Sequence, residues 1–351
     1  MQKREEIFHY LRDDEKLVAL EVAFSHLTVV VMRRYHERVT LSYEMLPYSL
    51  FTISDTRAQK EIARRINDVF QLLNIDEITP VHVCLSSFIA ITEEKKDSSF
   101  SLEIPIKKGF LTPEYTNCYA TIAQSLAGRV IHFLSRECRC VVASVSMLPA
   151  VLQHGLISAI SEDEWYDSNG VLYIGENEMW LCLRAGYYVF ALKHFSGGRY
   201  VLQKLIAEKL GDTKARTLLA HVSYRDVPAI VEEIMEQFLS AVRLYLQQTV
   251  AEKRVVPLKL VLAGELDYPQ ALAYYIGSYL RVPTMPWGVR GAVHLKYSIT
   301  GGKEFLHDEP LLLGGVGMFV KDIPLIDKSL LSQHIVTGSL REYLQHFYLS
   351  P

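Results

Sequence analysis

The sequence is poor in several things, and each shortage closes off a class of protein. Five cysteines are scattered at Cys84, Cys118, Cys138, Cys140 and Cys182. The opening MQKREEIFHYLRDDEK is charged and has no apolar core of signal length. Together these predict reduced thiols in a cytoplasmic setting rather than a disulfide framework. Cys138-Arg139-Cys140 has the ligand chemistry of a metal site, yet no second pair or clustered histidine completes a set. The 12 histidines never form His-x-x-x-His on a helical pattern. No window approaches the ~18 consecutive apolar residues of a membrane-crossing helix. A net charge of -3 gives no general footprint for nucleic acid. Gly301-Gly302-Lys303 lacks the upstream glycine of a phosphate loop, and Glu304 replaces its hydroxyl. No Ser/His/Asp or Cys/His arrangement stands out by local context.

What remains is an ordinary folded composition. Of 351 residues 49% are apolar and 22% charged, enough for two cores. The organising stretch is Gly170 to Gly198, GVLYIGENEMWLCLRAGYYVFALKHFSGG. Val171–Ile174, Met179–Leu183 and Tyr187–Leu192 are β-branched and aromatic runs. They are separated by Gly175-Glu176-Asn177 and Ala185-Gly186, so they read as a three-stranded meander. Ser196-Gly197-Gly198 closes it and a helix pattern follows from Arg199. Such a layout presents backbone N–H groups to an anion. Leu17–Phe24, Leu27–Arg33 and Arg38–Leu46 repeat the meander roughly 150 residues earlier.

Between and after the meanders the pattern alternates. Asp55 caps a helix to Leu73, with Ile62, Ile66, Val69, Phe70 and Leu73 on one face. Val81–Ser86 is a strand. Residues 88–111 form a polar hairpin region tipped by Glu93-Glu94-Lys95-Lys96-Asp97. Thr112-Pro113-Glu114 is expected to start a helix that runs to about Ser135. A strand over Cys140–Val145 and a helix over Met147–Ile160 complete the first half. The polar run from Ser161 to Ser168 marks the expected boundary. The second half continues with helices over Tyr200–Leu210 and from Asp226 to about Lys253. Pro257–Ala263 reads as a strand covered on both faces. A helix over Pro269–Leu280 and a glycine-bearing packed helix over Pro310–Phe319 follow. The tail from Ser339 to Pro351 is amphipathic.

Two meander-plus-helix halves with a late apolar strand ending in a glycine turn resemble the actin-like ATPase superfamily, and within it the PilM and FtsA families. The resemblance covers about residues 16–320. It implies an α/β, two-domain actin-like (ribonuclease H-like) fold, with mixed sheets flanked by helices and a small inserted subdomain. The corresponding domains are an arm over 1–15, domain I over 16–165 with the insertion near 85–127, domain II over 166–325, and a tail over 326–351. In these families two Asp-x-Gly turns grip nucleotide phosphates and hold Mg²⁺ through water. The first maps to Glu21 and Ala23, with Ser25 and His26 following. The second, Asp-x-Gly-x-x-Thr, maps to Tyr173, Gly175 and Glu178. A Gly-Gly before a helix is kept as Gly197-Gly198. The glycine pair at the adenosine maps to Gly264 and Glu265, and the closing Ala-x-Gly-Leu to Gly315-Val316-Gly317-Met318.

The departures point one way. Glycine lets backbone approach phosphate, and hard carboxylate oxygens suit Mg²⁺. Glu21 lengthens the first acid, Ala23 adds a Cβ, Tyr173 removes the second acid and Glu178 adds a charge beside the phosphate. At about 4 Å and an effective dielectric of ~20, like charges repel by about 4 kcal/mol. Glu265 crowds the adenosine turn. The candidate nucleotide residues are therefore Glu21, Ser25, Gly175, Glu178, Gly197, Gly198, Gly264 and Glu265, in a degenerate ATP/Mg²⁺ site. No catalytic or metal-ligating residue is assigned. The resemblance implies a pseudo-ATPase scaffold at the inner face of the cytoplasmic membrane. There it binds the cytoplasmic tail of an inner-membrane assembly protein, with self-association and peripheral membrane contact through that partner or the C-terminal helix. The alternative is an FtsA-like membrane tether for a division filament that polymerises with ATP. An active enzyme of the wider sugar-kinase and actin group requires intact cleft acids, which Tyr173 opposes.

Overall fold

The computed structural model describes residues 15–36, 38–47, 56–76, 79–155, 168–186, 188–220, 227–288, 293–295, 309–319 and 323–326. Asp55, Asp226, the 161–167 run, Gly301 to Glu304 and the tail from Ser339 lie outside the described residues. Strands β1 (Lys16–Val22), β2 (His26–Tyr35) and β3 (Arg38–Pro47) form the first meander. A helix over Thr56–Leu72 leads to β4 (Pro80–Leu85). It buries Ile62, Ile66, Val69 and Phe70, the face that the 3.6-residue spacing marks out. Strands β5 (Ala90–Thr92), β6 (Ser99–Lys107) and β7 (Tyr115–Ala123) come next. A helix over Gln124–Arg136, β8 (Val141–Met147) and a helix over Leu148–Gly155 end the first half.

The second half repeats the plan. Its meander is β9 (Ser168–Ile174), β10 (Glu178–Ala185) and β11 (Tyr188–Ser196). The following helix, Arg199–Ala220, breaks at Gly211, where φ is 66°. A helix over Ala229–Lys253 precedes β12 (Lys259–Gly264), the helix Pro269–Leu280, β13 (Thr284–Pro286) and β14 (Val293–Leu295). A 3₁₀ turn over Glu309–Leu312 runs into a short helix, Leu313–Gly317.

Strand order exposes how far the repeat extends. One sheet runs β14-β3-β2-β1-β4-β8 and the other β13-β12-β9-β10-β11-β6-β7-β5. In each, the first meander strand pairs antiparallel with the second and parallel with the strand that follows the helix, β4 or β12. That strand in turn pairs parallel with β8 or β13. The five-stranded cores are thus equivalent. Each sheet then takes its outer edge from the other half of the chain. β14 adds parallel to β3, and β6 adds parallel to β11 through Val189 and Ile106. Edge strands left bare are templates for aggregation, so the exchange also covers both meander edges.

One expectation is overturned. Thr112-Pro113-Glu114 starts no helix: Tyr115–Ala123 is β7, fully paired with β6 from Lys107↔Tyr115 to Ser99↔Ala123. The helix begins at Gln124. The run YTNCYATIA is rich in aromatic and β-branched residues, and sheet pairing along its whole length outweighs the helix-start signal of Thr-Pro.

The core centres on the first strands of the two meanders. Ala19, Leu20 and Glu21 of β1 and Val171 to Ile174 of β9 are all at most 1% exposed. Each strand lies inside its sheet with both faces covered, as near-continuous apolar runs require. The glycine-bearing segment packs as tightly as its composition predicts. A Cβ on Gly314 would stand 2.3 Å from the Glu21 carboxyl, one on Gly315 2.6 Å from Val30, and one on Gly317 2.2 Å from Val151 Cγ1. Val151 is β-branched and stiff, so it cannot swing aside. Gly317→Ala is expected to destabilise the fold by about 1–3 kcal/mol. Val151→Ala in the same chain should recover part of that loss, and chemical denaturation of the single and double variants reads the coupling. Strictly additive losses would show that the contact is not the cause.

Candidate functional site

The two meanders bring their first turns face to face. Glu21, near the end of β1, is fully buried and lies between Thr28 of β2 and Cys84 of β4. Tyr173, near the end of β9, is equally buried and donates its hydroxyl to Glu21 Oε1 at 2.9 Å. The two residues that the sequence analysis matched to paired Asp-x-Gly acids therefore bond directly to each other across the sheets. Burial pushes the Glu21 carboxyl up to about 7, against the pull of the Tyr173 bond, Ser86 and the Gly315 amide. Burial, and then the charges of Glu21 and Glu265, hold Tyr173 well above the usual phenol range, so its proton stays in place.

A second group closes the same region. His26, the first residue of β2, sets Nδ1 3.3 Å from Glu265 Oε1. Glu265 follows β12 directly, and its other oxygen is 3.6 Å from Arg199 Nη1. Arg199 Nε is also 3.6 Å from Asp267 Oδ2. Burial drives the Glu265 carboxyl up to about 8 and the His26 imidazole down to about 4. At neutral pH the His26–Glu265 contact therefore joins a neutral imidazole to a largely protonated carboxyl. The half-exposed Arg199 is screened by solvent and does not reverse this.

The glycine turns spend their backbone donors on one another. Gly197 N–H donates to Asn177 O at 3.0 Å, Arg199 N–H to Gly175 O at 2.8 Å, and Tyr200 N–H to Glu176 O at 2.9 Å. Gly175 N–H donates to Glu178 O and Glu265 N–H to Ile174 O. The first amides of the helix Arg199–Ala220 are thus capped by the preceding meander's own turn, in place of an outside acceptor. At Gly198 and Gly264 close contact leaves no space for a side chain. A Cβ on Gly198 would sit 2.2 Å from Gly175 O, and one on Gly264, whose φ is 102°, 2.2 Å from Ile174 O. Glu178 meets His194 Nε2 at 3.0 Å, and burial raises its carboxyl despite that partner.

The sequence-derived candidates fall into two linked sets. Gly175, Glu178, Gly197 and Gly198 form one turn cluster. Glu21 and Glu265 belong to the buried polar contacts beside it, and Gly264 joins the two sets through Ile174. Ser25 lies half-buried in the bend between β1 and β2 and takes no part in the bonds described. Sequence reasoning missed Arg199, His194 and Asp267 as partners of these acids, and Gly314 as the surface that packs against Glu21. Nothing local distinguishes Arg199 from other helix-start cations; only the return of Glu265 to the same place gives it a role. Among the described residues no group of three or more His, Cys, Asp or Glu is arranged to hold a metal ion. Beside Glu265 a cleft of about 440 Å³ opens between the helices Arg199–Ala220 and Pro269–Leu280, with Arg199, Gln203, Asp267 and Tyr268 on its polar side.

Paired five-stranded cores, turns meeting at the ends of their first strands and an inserted strand hairpin define a two-domain actin-like (ribonuclease H-like) fold. The particular likeness is to PilM. A solved PilM–PilN type IV pilus biogenesis complex superposes with a TM-score of 0.64 at 16% identity, covering 88% of this chain and 99% of that one. The ethanolamine utilization protein EutJ from Carboxydothermus hydrogenoformans gives 0.50 at 13% identity, covering 90% and 94%. At these identities the likeness is one of fold. No protein-family profile and no curated protein matches the sequence.

The buried acids give the fold a pH signature. Glu21 and Glu265 keep their protons to about 7 and 8 in the fold but lose them near 4.5 when unfolded. The folded state binds more protons across that interval, so their contribution to stability falls as pH rises. His26 works oppositely below its ordinary 6.5, where the unfolded chain takes up the proton first. Between pH 6.5 and 8 the two carboxyls outweigh His26, whose unfolded imidazole is already losing its proton. Melting temperature should therefore drop across that window, and drop less in Glu21→Gln. Equal slopes in the two proteins would refute the assignment.

Proposed function

We propose that this chain is an actin-like scaffold of a membrane-associated assembly platform of the type IV pilus kind. It holds a cytoplasmic segment of a membrane partner in a groove beside the inserted strands β5–β7. The observation that carries the reading is the shared fold with the PilM–PilN complex over nearly the whole of both chains. The working domains are residues 16–165 and 166–325, each lending the other an edge strand. No helix among the described residues is long and apolar enough to cross a membrane. A pull-down with the membrane proteins encoded beside this chain tests the reading. Recovery of one of them supports it, and recovery of soluble division proteins alone overturns it.

We also propose that the nucleotide site is degenerate and that the protein works by binding rather than turnover. The residues at Glu21, Ser25, Gly175, Glu178, Gly197, Gly198, Gly264 and Glu265 do not fit a Mg²⁺–nucleotide. A phenol replaces one acid of the pair and bonds to the other. The remaining carboxyls, Glu178 and Glu265, already have His194, His26 or Arg199 as partners. The amides of Gly175, Gly197, Arg199, Tyr200 and Glu265 are committed to backbone carbonyls. Opening this arrangement breaks a buried hydrogen bond and bares a carboxyl, at a cost on the order of 1–3 kcal/mol. Titration of labelled ATP with Mg²⁺ is expected to show no saturable binding in the micromolar range and no hydrolysis. Micromolar affinity with turnover sinks the proposal.

A further inference from the structure

The far end of β11 carries a surface that the cleft does not use. Tyr188 opens that strand and Ser196 closes it, so the two ends stand roughly 25–30 Å apart. At the Tyr188 end the β6–β7 connection projects a loop, Lys108 to Glu114. Leu111 at its tip is 86% exposed and Phe110 52%. Tyr115, Tyr188 and Val256 are exposed as well. The base of the loop is firmly held. Phe110 stacks on buried Phe190 at 6.1 Å, and its N–H donates to Lys253 O. Lys107 Nζ lies 4.5 Å from the Tyr188 ring centre, and Lys253 Nζ donates to Lys107 O. Ala185, Phe190 and Val255 form a small core of their own beneath it.

Charge runs against the sign of the whole chain. Lys107, Lys108, Lys253 and Arg254 collar the loop, while the neighbouring acids are Glu114, paired with Lys108 at 2.9 Å, and Glu252. The local balance is positive in a protein whose net charge is -3. An apolar tip, flanking tyrosines and a basic collar on a rigid base form the combination that enters the headgroup layer of an anionic bilayer. The aromatics match the interface, the lysine stems reach past them, and an exposed Leu111 has nothing to gain in water.

We propose that this loop surface docks directly on an anionic membrane, independently of any partner held in the peptide groove. The charge complementarity favours lipid headgroups over a second copy of this chain, whose overall charge is weak. The test is flotation of the full chain with vesicles of phosphatidylglycerol and phosphatidylcholine, against phosphatidylcholine alone. Binding is expected only to the anionic vesicles and should weaken as salt rises. Leu111→Ser should abolish it. Lys108→Gln with Arg254→Asn should weaken it by roughly 30-fold, from about fivefold for each base removed near the surface. All three side chains are exposed, so an unchanged melting temperature confirms that the variants fold. No vesicle binding, or binding that both variants retain, overturns the proposal. Loss of a protein partner in these variants without any lipid binding assigns the surface to protein and also overturns it. Capture of the groove-bound partner should be unaffected, which separates failure here from failure of the scaffold reading.

Discussion

The Tyr173 hydroxyl reaches from one sheet to the Glu21 carboxyl of the other, and both ends of the bond are out of reach of water. A lone carboxyl in that place carries a heavy desolvation cost. Burial answers part of it by raising the acid to about 7, and the phenol answers more by donating a proton that it does not give up. Gly314 follows from the same constraint, because any side chain there would strike the carboxyl. The bond therefore fixes the separation of the two first strands and the identity of the segment that covers them. Around it, His26, Glu265 and Arg199 continue the contact between the halves toward the solvent edge.

Exchange of edge strands is the second way the halves hold together. β14 leaves the second half to pair with β3, and β6 leaves the first to pair with β11. Such pairings join residues far apart in sequence, and loop closure must be met before any contact rewards it. The β6–β11 joint rests on little ladder pairing and draws on the stacking of Phe110 on Phe190 and the reach of Lys107 over Tyr188. The loop proposed for lipid belongs to this inserted hairpin, and the groove proposed for a partner lies beside it. The hairpin joins the first half's chain to the second half's sheet.

Much of the fold could be read along the chain. The meanders, the Gly-Gly before a helix and the tight glycine segment all follow from period, punctuation and residue size. The helix Pro269–Leu280 has the bounds its proline start and apolar run give it. The strand Tyr115–Ala123 was not legible, because a Thr-Pro-Glu start and a mixed run suit a helix until β6 is known to lie alongside. The candidate site divides in the same way. Its glycines and acids were visible along the chain, whereas Arg199, His194 and Asp267 were not, since their roles come from residues distant in sequence.

By itself the sequence determined that there are two repeated halves and that a tyrosine stands at position 173, because strand period and residue type are local facts. It also determined which glycines sit at turns, since only they tolerate such close backbone contact. Only the tertiary structure decided that Tyr173 would hydrogen-bond one oxygen of Glu21, that Glu265 would meet His26 and Arg199, and that each sheet would borrow an edge from the other half. Those outcomes depend on which strands end at the same place, and packing of the two sheets sets that, not any stretch of residues alone.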